Sequence, residues 1–305
     1  MRILCLHGKG TSGDIFRSQT DSKQVGAEHD LTKESTAALR AKLDASYVFD
    51  FVDGPFASTS APGVDKLFDA GSGAYSWWPT ESAQSIRSAH AWLDDYLAAH
   101  GPYDALMGFS QGCLLISSYL MHRARDLGSA PRSSSVGANS PPLPFRAAIF
   151  VCGGLSFTSL AALGVAIPPE VLALEKRSAE ALHAKTRLFR ELASQPDQIQ
   201  RGVGLWDDTS GLVHELGAPL PSDEDVFGMD FTATGPFPAD LFLTIPTVHV
   251  FGSRDPRYPA ALQLAHASRV RKMYDHGGGH DIPRTTEVSE RIAGLIAQLG
   301  RDIGV

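Results

Sequence analysis

Three side chains far apart in the chain have the types and order needed for acyl-transfer chemistry: Ser110, Asp255 and His280. Ser110 is the centre of GFSQG at 108–112, with a mostly apolar run, YDALM, before it and an apolar-periodic run, CLLISSYLM, after it. That is the setting of a nucleophile elbow, where a strand hands over to a helix through a sharp turn that exposes the serine hydroxyl. A serine hydroxyl is a weak nucleophile near neutral pH and needs a base to take its proton. Gly108 and Gly112 leave room for the bend. On such a scaffold an acid and then a histidine follow the nucleophile, each just beyond a strand. The run TVHVF at 247–251 ends in GSRDP, which puts Asp255 in the next turn. The run VRKMY at 270–274 leads into DHGGGHDIP, which puts His280 on a glycine-rich loop. His280 is expected to take the Ser110 proton and give it to the leaving group, while Asp255 fixes the imidazole tautomer and stabilises the imidazolium.

Each role has competitors. Asp275 and Asp281 lie near His280, but neither follows a separate strand, and a residue adjacent in an extended segment points elsewhere. His249 alternates within a strand and reads as a core residue, leaving His276 as the rival to His280. Cys113 is close to Ser110, yet its place in an apolar helix indicates packing. An oxyanion hole takes one backbone N–H from the residue after the nucleophile and one from a loop after an early strand. Gln111 and, in HGKG at 7–10, Lys9 are the candidates. The GKGTSG string lacks Walker spacing, which argues against a phosphate loop. The HGGG at 276–279 follows the nucleophile, whereas the lipase oxyanion motif precedes it. Three consecutive glycines between His276 and His280 make a poor helix for a zinc pair, so neither metal nor other cofactor is expected. Asp53 reads as a cap for the turn after its strand. Phe16, Trp77 and Trp78 are candidate walls of an apolar acyl pocket; packing against the core is the alternative for the tryptophans.

These residues must be positioned by a scaffold, and the pattern points to an α/β fold. Apolar runs at 3–6, 47–52, 105–107, 147–152, 247–251 and 270–274, bounded by Gly or Pro and separated mostly by helical patterns, predict an open, mostly parallel sheet with helices on both faces. With 305 residues, 43% of them hydrophobic, one domain can bury a sizeable core. Two stretches interrupt the alternation: a Ser/Pro-rich excursion at about 129–144, expected to be a mobile loop, and an insertion at about 155–243. The insertion is far longer than an ordinary connection and is expected to form a cap or lid, with a helix over 170–192. The stretch 57–79 is rich in Gly, Ser and Ala and ends in the cluster Tyr75, Trp77, Trp78.

The net charge of −7, with no basic runs, argues against a nucleic-acid partner. No apolar run is long enough to span a bilayer. The opening MRILCLHGKG enters a strand pattern directly, and Cys5, Cys113 and Cys152 read as buried, reduced thiols; both point to a cytoplasmic protein.

Taken together, LCLHGKGTSGDIFRSQT at 4–20, FVDGP at 51–55, GFSQG, FVCGG at 150–154, IPTVHVFGSRDP at 245–256 and GGGHDIP at 277–283 resemble the fungal family of serine hydrolases. The resemblance spans most of the core in the expected order and implies the α/β-hydrolase fold. Within that family the chain looks most like the stand-alone thioesterases of fungal polyketide clusters, of the lovastatin-pathway releasing type. This implies hydrolysis of an acyl thioester presented by an acyl carrier protein, with carboxylesterase action on a small ester, transfer to another acceptor and a catalytically silent binding protein as alternatives. The Ser/Pro excursion and the long insertion depart from the family pattern.

Overall fold

The computed structural model describes residues 1–21, 39–62, 64, 73–129, 143–194 and 204–305. Its strands are β1 (Arg2–Leu6), β2 (Val48–Val52), β3 (Phe56–Ala57), β4 (Tyr75–Ser76), β5 (Ala105–Phe109), β6 (Ala147–Val151), β7 (Thr247–Phe251) and β8 (Arg271–Asp275). Its helices are α1 (Gly13–Thr20), α2 (Ala83–His100), α3 (Gln111–Ser129), α4 (Phe157–Ala162), α5 (Pro169–Ser194), α6 (Tyr258–His266) and α7 (Thr286–Asp302). Six strands form one sheet in the order β2-β1-β5-β6-β7-β8, with every neighbouring pair parallel. All six apolar runs of the sequence lie in that sheet, which is the core of an α/β-hydrolase fold.

Parallel strands are buried on both faces, and the side-chain alternation shows how. Leu4, Leu6, Leu106 and Phe150 enter one layer with Ile86 and Leu93 of α2, Leu115 and Ile116 of α3, Leu160 of α4 and Leu262 of α6. Ile3, Cys5, Met107, Ile149 and Val250 enter the other, with Phe16 of α1 and Ile292, Ile296 and Leu299 of α7. Each large aliphatic chain removed from water in this way contributes roughly 1.5–3 kcal/mol. Helix starts are set by local chemistry. Ser12, Ser82, Ser156 and Thr285 accept backbone N–H bonds at 3.2–3.3 Å as N-caps of α1, α2, α4 and α7.

The strand order reverses between β1 and β5. The chain first moves outward from β1 to β2, then returns to the other side of β1 and proceeds through β5 to β8. The carboxyl ends of β1 and β5 therefore flank a topological switch point, where open α/β sheets form their ligand crevice. The loop 7–10 and the turn at Ser110 both emerge there.

The segment at 155–243 forms α4 and the long α5, which begins with Pro169 at its first helical position, where a missing N–H costs nothing. Its described remainder, rich in Gly, Pro and Asp, holds a Val226–Met229 bridge, a 3₁₀ turn at Ala239–Leu241 and a bridge from Leu243 to Ser268. Phe231, Phe237 and Phe242 from this part pack together at 4.9–6.4 Å and join the core layer of α2 and α3. Residues 195–203 of the insertion, 130–142 of the Ser/Pro excursion and 63 and 65–72 of the Gly/Ser/Ala stretch lie outside the described residues. Among the described residues, no helix is long and apolar enough to cross a membrane.

Candidate active site

Strand β5 ends at Phe109 and α3 starts at Gln111, so the whole turn rests on Ser110, whose φ is 50°. That left-handed conformation is costly for a residue with a side chain and is found where structure around it compels it. Two close approaches supply the compulsion. A Cβ on Gly108 would lie 2.6 Å from the Cys113 backbone nitrogen, and one on Gly112 would lie 2.1 Å from the Leu6 carbonyl oxygen. Only glycines let α3 lean so closely on β5 and β1. The Ser110 N–H donates to the Val151 carbonyl at 3.0 Å, which ties the turn to β6.

The acid and the histidine come from the next two strand ends. His280 Nε2 lies 3.0 Å from Ser110 Oγ, and its Nδ1 lies 2.7 Å from Asp255 Oδ2. Asp255 has no exposed surface; its other oxygen accepts the Arg257 N–H at 2.7 Å. The Arg254 N–H donates to the Gly278 carbonyl at 2.9 Å, so the turn bearing the acid is bonded to the loop bearing the histidine. The His280 ring also packs on Phe109 at 5.4 Å. The three residues singled out from chain order thus form one hydrogen-bonded line, able to move a proton from a serine hydroxyl to an imidazole and to hold the resulting cation.

The competitors are occupied elsewhere. Asp275 Oδ1 accepts the Ser253 and Gly277 N–H groups at 2.9 and 2.7 Å, which shapes the loop. His276 Nδ1 accepts the Gly278 N–H at 3.1 Å. The Asp281 carboxyl is pushed up from its ordinary value by burial and makes no bond to His280. His249 bonds Thr247 Oγ1 at 3.0 Å inside the core, and burial pushes its pKa down to about 3. The Cys113 thiol is buried and directed at the Gly108 and Val151 carbonyls at 3.1 and 3.3 Å. Among the described residues, one group could in principle offer three ligand atoms to a metal ion: Cys152, Asp255 and His280, within 4.8 Å of one another. Two of them already share the hydrogen bond that orients the imidazole.

The loop after β1 lies against the nucleophile. A Cβ on Gly8 would come within 3.4 Å of Ser110 Cβ. Among the described residues, neither the Lys9 nor the Gln111 backbone N–H has an acceptor within the protein, which leaves both free for an oxyanion. The Gln111 side chain is turned away and accepts the Trp77 N–H at 3.1 Å. The loop is braced by β4, through Gly10 N–H to the Tyr75 carbonyl and Tyr75 N–H to the Thr11 carbonyl, both 2.8 Å.

Three sequence expectations are corrected by packing. Trp77 is fully buried, donates from Nε1 to the His7 carbonyl at 2.8 Å and lies between His7 and Trp92. Trp78 is 3% exposed and belongs to the same core layer; Phe16 is 1% exposed and packs on Phe51 and Phe109. These rings brace the loops of the site from behind and offer no surface to an acyl chain. Asp53 caps a different element from the one expected: its Oδ1 accepts the Gly13 N–H at 2.8 Å, at the first turn of α1.

Sequence reasoning also passed over several contributors. His7 holds the loop 7–10 from inside, and its place directly before the glycines of that loop was an available signal. Trp206 packs so tightly on Gly279 that a Cβ there would lie 1.9 Å from the ring. Arg257 joins the acid turn to α5. The last two contacts cross from the insertion to the loops of the acid and the histidine, and nothing in the local sequence announces them.

Comparison with known proteins gives the family. The chain is 27% identical over 290 residues to Esterase FPY3 of Fusarium mangiferae, covering 93% of this chain and 89% of that one. It is 26% identical over 302 residues to Hydrolase phiM of a fungal species, with 98% and 95% covered, and 27% identical over 300 residues to Esterase alnB of Emericella nidulans, with 94% and 92% covered. The family model described as Serine hydrolase (FSH1) matches residues 1–292, nearly the whole chain, and the protein is accordingly a serine hydrolase of that family.

Proposed function

We propose that the protein hydrolyses an acyl thioester or ester through an acyl-enzyme on Ser110, and that its substrate is a polyketide acyl chain presented by an acyl carrier protein. The observation that carries the catalytic half is the continuous line Ser110 Oγ–His280 Nε2, 3.0 Å, and His280 Nδ1–Asp255 Oδ2, 2.7 Å. In the first half-reaction His280 Nε2 takes the hydroxyl proton as Ser110 Oγ bonds to the carbonyl carbon, and the carbonyl oxygen becomes an oxyanion facing the Lys9 and Gln111 N–H groups. Collapse breaks the bond to the leaving thiol or alcohol, which receives the proton from His280. Water then repeats the sequence: His280 takes its proton, hydroxide adds to the acyl carbon, and Ser110 leaves with the proton restored. One such N–H donor is worth about 3 kcal/mol of barrier.

The polyketide half rests on the resemblance of the motifs from HGKG to GGGHDIP to fungal cluster thioesterases. The names of the relatives favour a second reading, carboxylesterase action on a small ester, since two of the three are called esterases. Two experiments separate these levels. Ser110→Ala and His280→Ala should each lower turnover by about 10⁴-fold or more while the protein stays folded, and Ser110 should gain the mass of a fluorophosphonate adduct. Wild-type turnover in either variant would overturn the assignment of roles. Carrier-bound acyl thioesters should be cleaved faster than simple aryl esters; equal rates on both would favour the esterase reading.

A further inference from the structure

The buried acid at Asp255 accepts hydrogen bonds from His280 and from the Arg257 N–H, at 2.7 Å each, and lies beside the buried Cys152 thiol. One of the bonds that set the direction of its carboxylate thus comes from its own turn, 255–257. That turn is fastened to the inserted helix α5. The Arg257 guanidinium donates to the Glu175 carbonyl at 3.2 Å and to Ser178 Oγ at 3.0 Å, and pairs with the Glu175 carboxylate. Ser178 Oγ donates in turn to the Pro256 carbonyl at 2.9 Å, which closes the ring. Glu175 and Ser178 stand three residues apart and so share one helix face. The contact is well shielded: the side chains of Arg257 and Glu175 are 14% and 29% exposed, and Ser178 is 1% exposed. A planar guanidinium can serve this set of acceptors at once, which an ammonium cannot do with the same geometry.

We propose that Arg257 is a positioning residue for the acid: by clamping the turn 255–257 to α5, it holds the Asp255 carboxylate on His280 Nδ1. The proposal rests on the catalytic reading of Ser110, His280 and Asp255. Arg257 touches neither the serine nor the imidazole, so it acts only through the acid. On this account the insertion contributes to alignment of the triad as well as covering the sheet, because the acid's turn has one wall in β7 and the other in α5.

The test is a double-mutant cycle read by steady-state hydrolysis of an activated aryl ester. Arg257→Ala should lower kcat about tenfold with KM changed less than about twofold, the signature of a lost transition-state alignment. Glu175→Gln and Ser178→Ala should act in the same direction, each about threefold, and Arg257→Lys should recover part of the loss. In an Asp255→Asn background, where the carboxylate is already gone, Arg257→Ala should cost less than about twofold. A tenfold loss on both backgrounds, a loss confined to KM, or unchanged kcat would overturn the proposal. If Arg257→Ala does not fold, Glu175→Gln and Ser178→Ala carry the same cycle with the same criteria. Full turnover in Ser110→Ala would defeat the serine reading itself; an inert Ser110→Ala together with an additive cycle would defeat the positioning role alone.

Discussion

His7 sits with no exposed surface between β1 and the loop of Lys9, its Nε2 2.9 Å from the Gly54 N–H and its Nδ1 2.7 Å from the Gly8 carbonyl oxygen. An amide N–H can only donate, so Nε2 is the acceptor and Nδ1 carries the proton. Burial holds the pKa of this histidine below its ordinary value of 6.5 and keeps the acceptor lone pair available. The ring thus fixes the carbonyl of Gly8, and with it the Lys9 N–H of the same peptide, the proposed oxyanion donor. His7→Ala would leave the Gly54 N–H buried without a partner, at about 1–3 kcal/mol. It would also release the loop; if the Lys9 N–H is displaced from the oxyanion, kcat falls by about 10²-fold. Urea unfolding and steady-state kinetics on the same sample check both. A folded His7→Ala protein with wild-type kcat would show that the loop holds its shape without the imidazole.

At the scale of elements, the site depends on how near α3 comes to the sheet. The 2.1 Å separation between a Cβ on Gly112 and the Leu6 carbonyl, and the 2.6 Å separation at Gly108, place rigid backbone in the way. Gly112→Ala should therefore force α3 away from β1, with a loss of stability of about 2 kcal/mol or more and a misplaced Ser110. Thermal unfolding and the rate of fluorophosphonate labelling measure the two effects; an unchanged labelling rate would show that the turn tolerates the shift. This part of the molecule was legible in the sequence because glycines flank the serine and because the inner strands β1, β5, β6 and β7 are mostly apolar runs bounded by turn residues. Helix α5 was legible through its period. The β3–β4 pair, two residues on each side, is too short for any period to register. The bracing roles of Phe16, Trp77 and Trp78 were misread because an aromatic ring carries the same apolar signal in a pocket wall as in a core. The clamp on the acid turn joins residues 82 positions apart, and only the folded chain brings Glu175 to Arg257.

Across the whole molecule, five of the described histidines are buried, His7, His90, His122, His249 and His266, and His276 is half-buried on the loop after β8. Burial lowers the pKa of His7, His90, His122, His249, His266 and His276, in two cases, His90 and His249, to about 3. His90 bonds Ser118 Oγ at 2.8 Å between α2 and α3, beside the His122 ring at 5.2 Å, so that a proton on either would be desolvated and would face its neighbour. Below their ordinary value of 6.5 these histidines are protonated in the unfolded chain, while in the folded chain His90 and His249 remain neutral down to about 3. The unfolded state then binds more protons, so stability is complete above pH ~6.5 and is lost as pH falls. For a shift of that size, each of the two loses about 2 kcal/mol between pH 7.5 and pH 5. The carboxyl of Asp281, raised by burial, works in the opposite sense, because the folded state binds its proton first. Carboxyls held low by their partners, such as Asp104 and Asp223, begin to release stability only nearer their ordinary value of 3.8. The histidines therefore dominate the window from pH 7.5 to 5. Urea unfolding across that window should show the free energy of unfolding falling by several kcal/mol, and His90→Gln should flatten part of the slope. A free energy that stays constant from pH 7.5 to 5 would mean that these imidazoles accept protons within the fold.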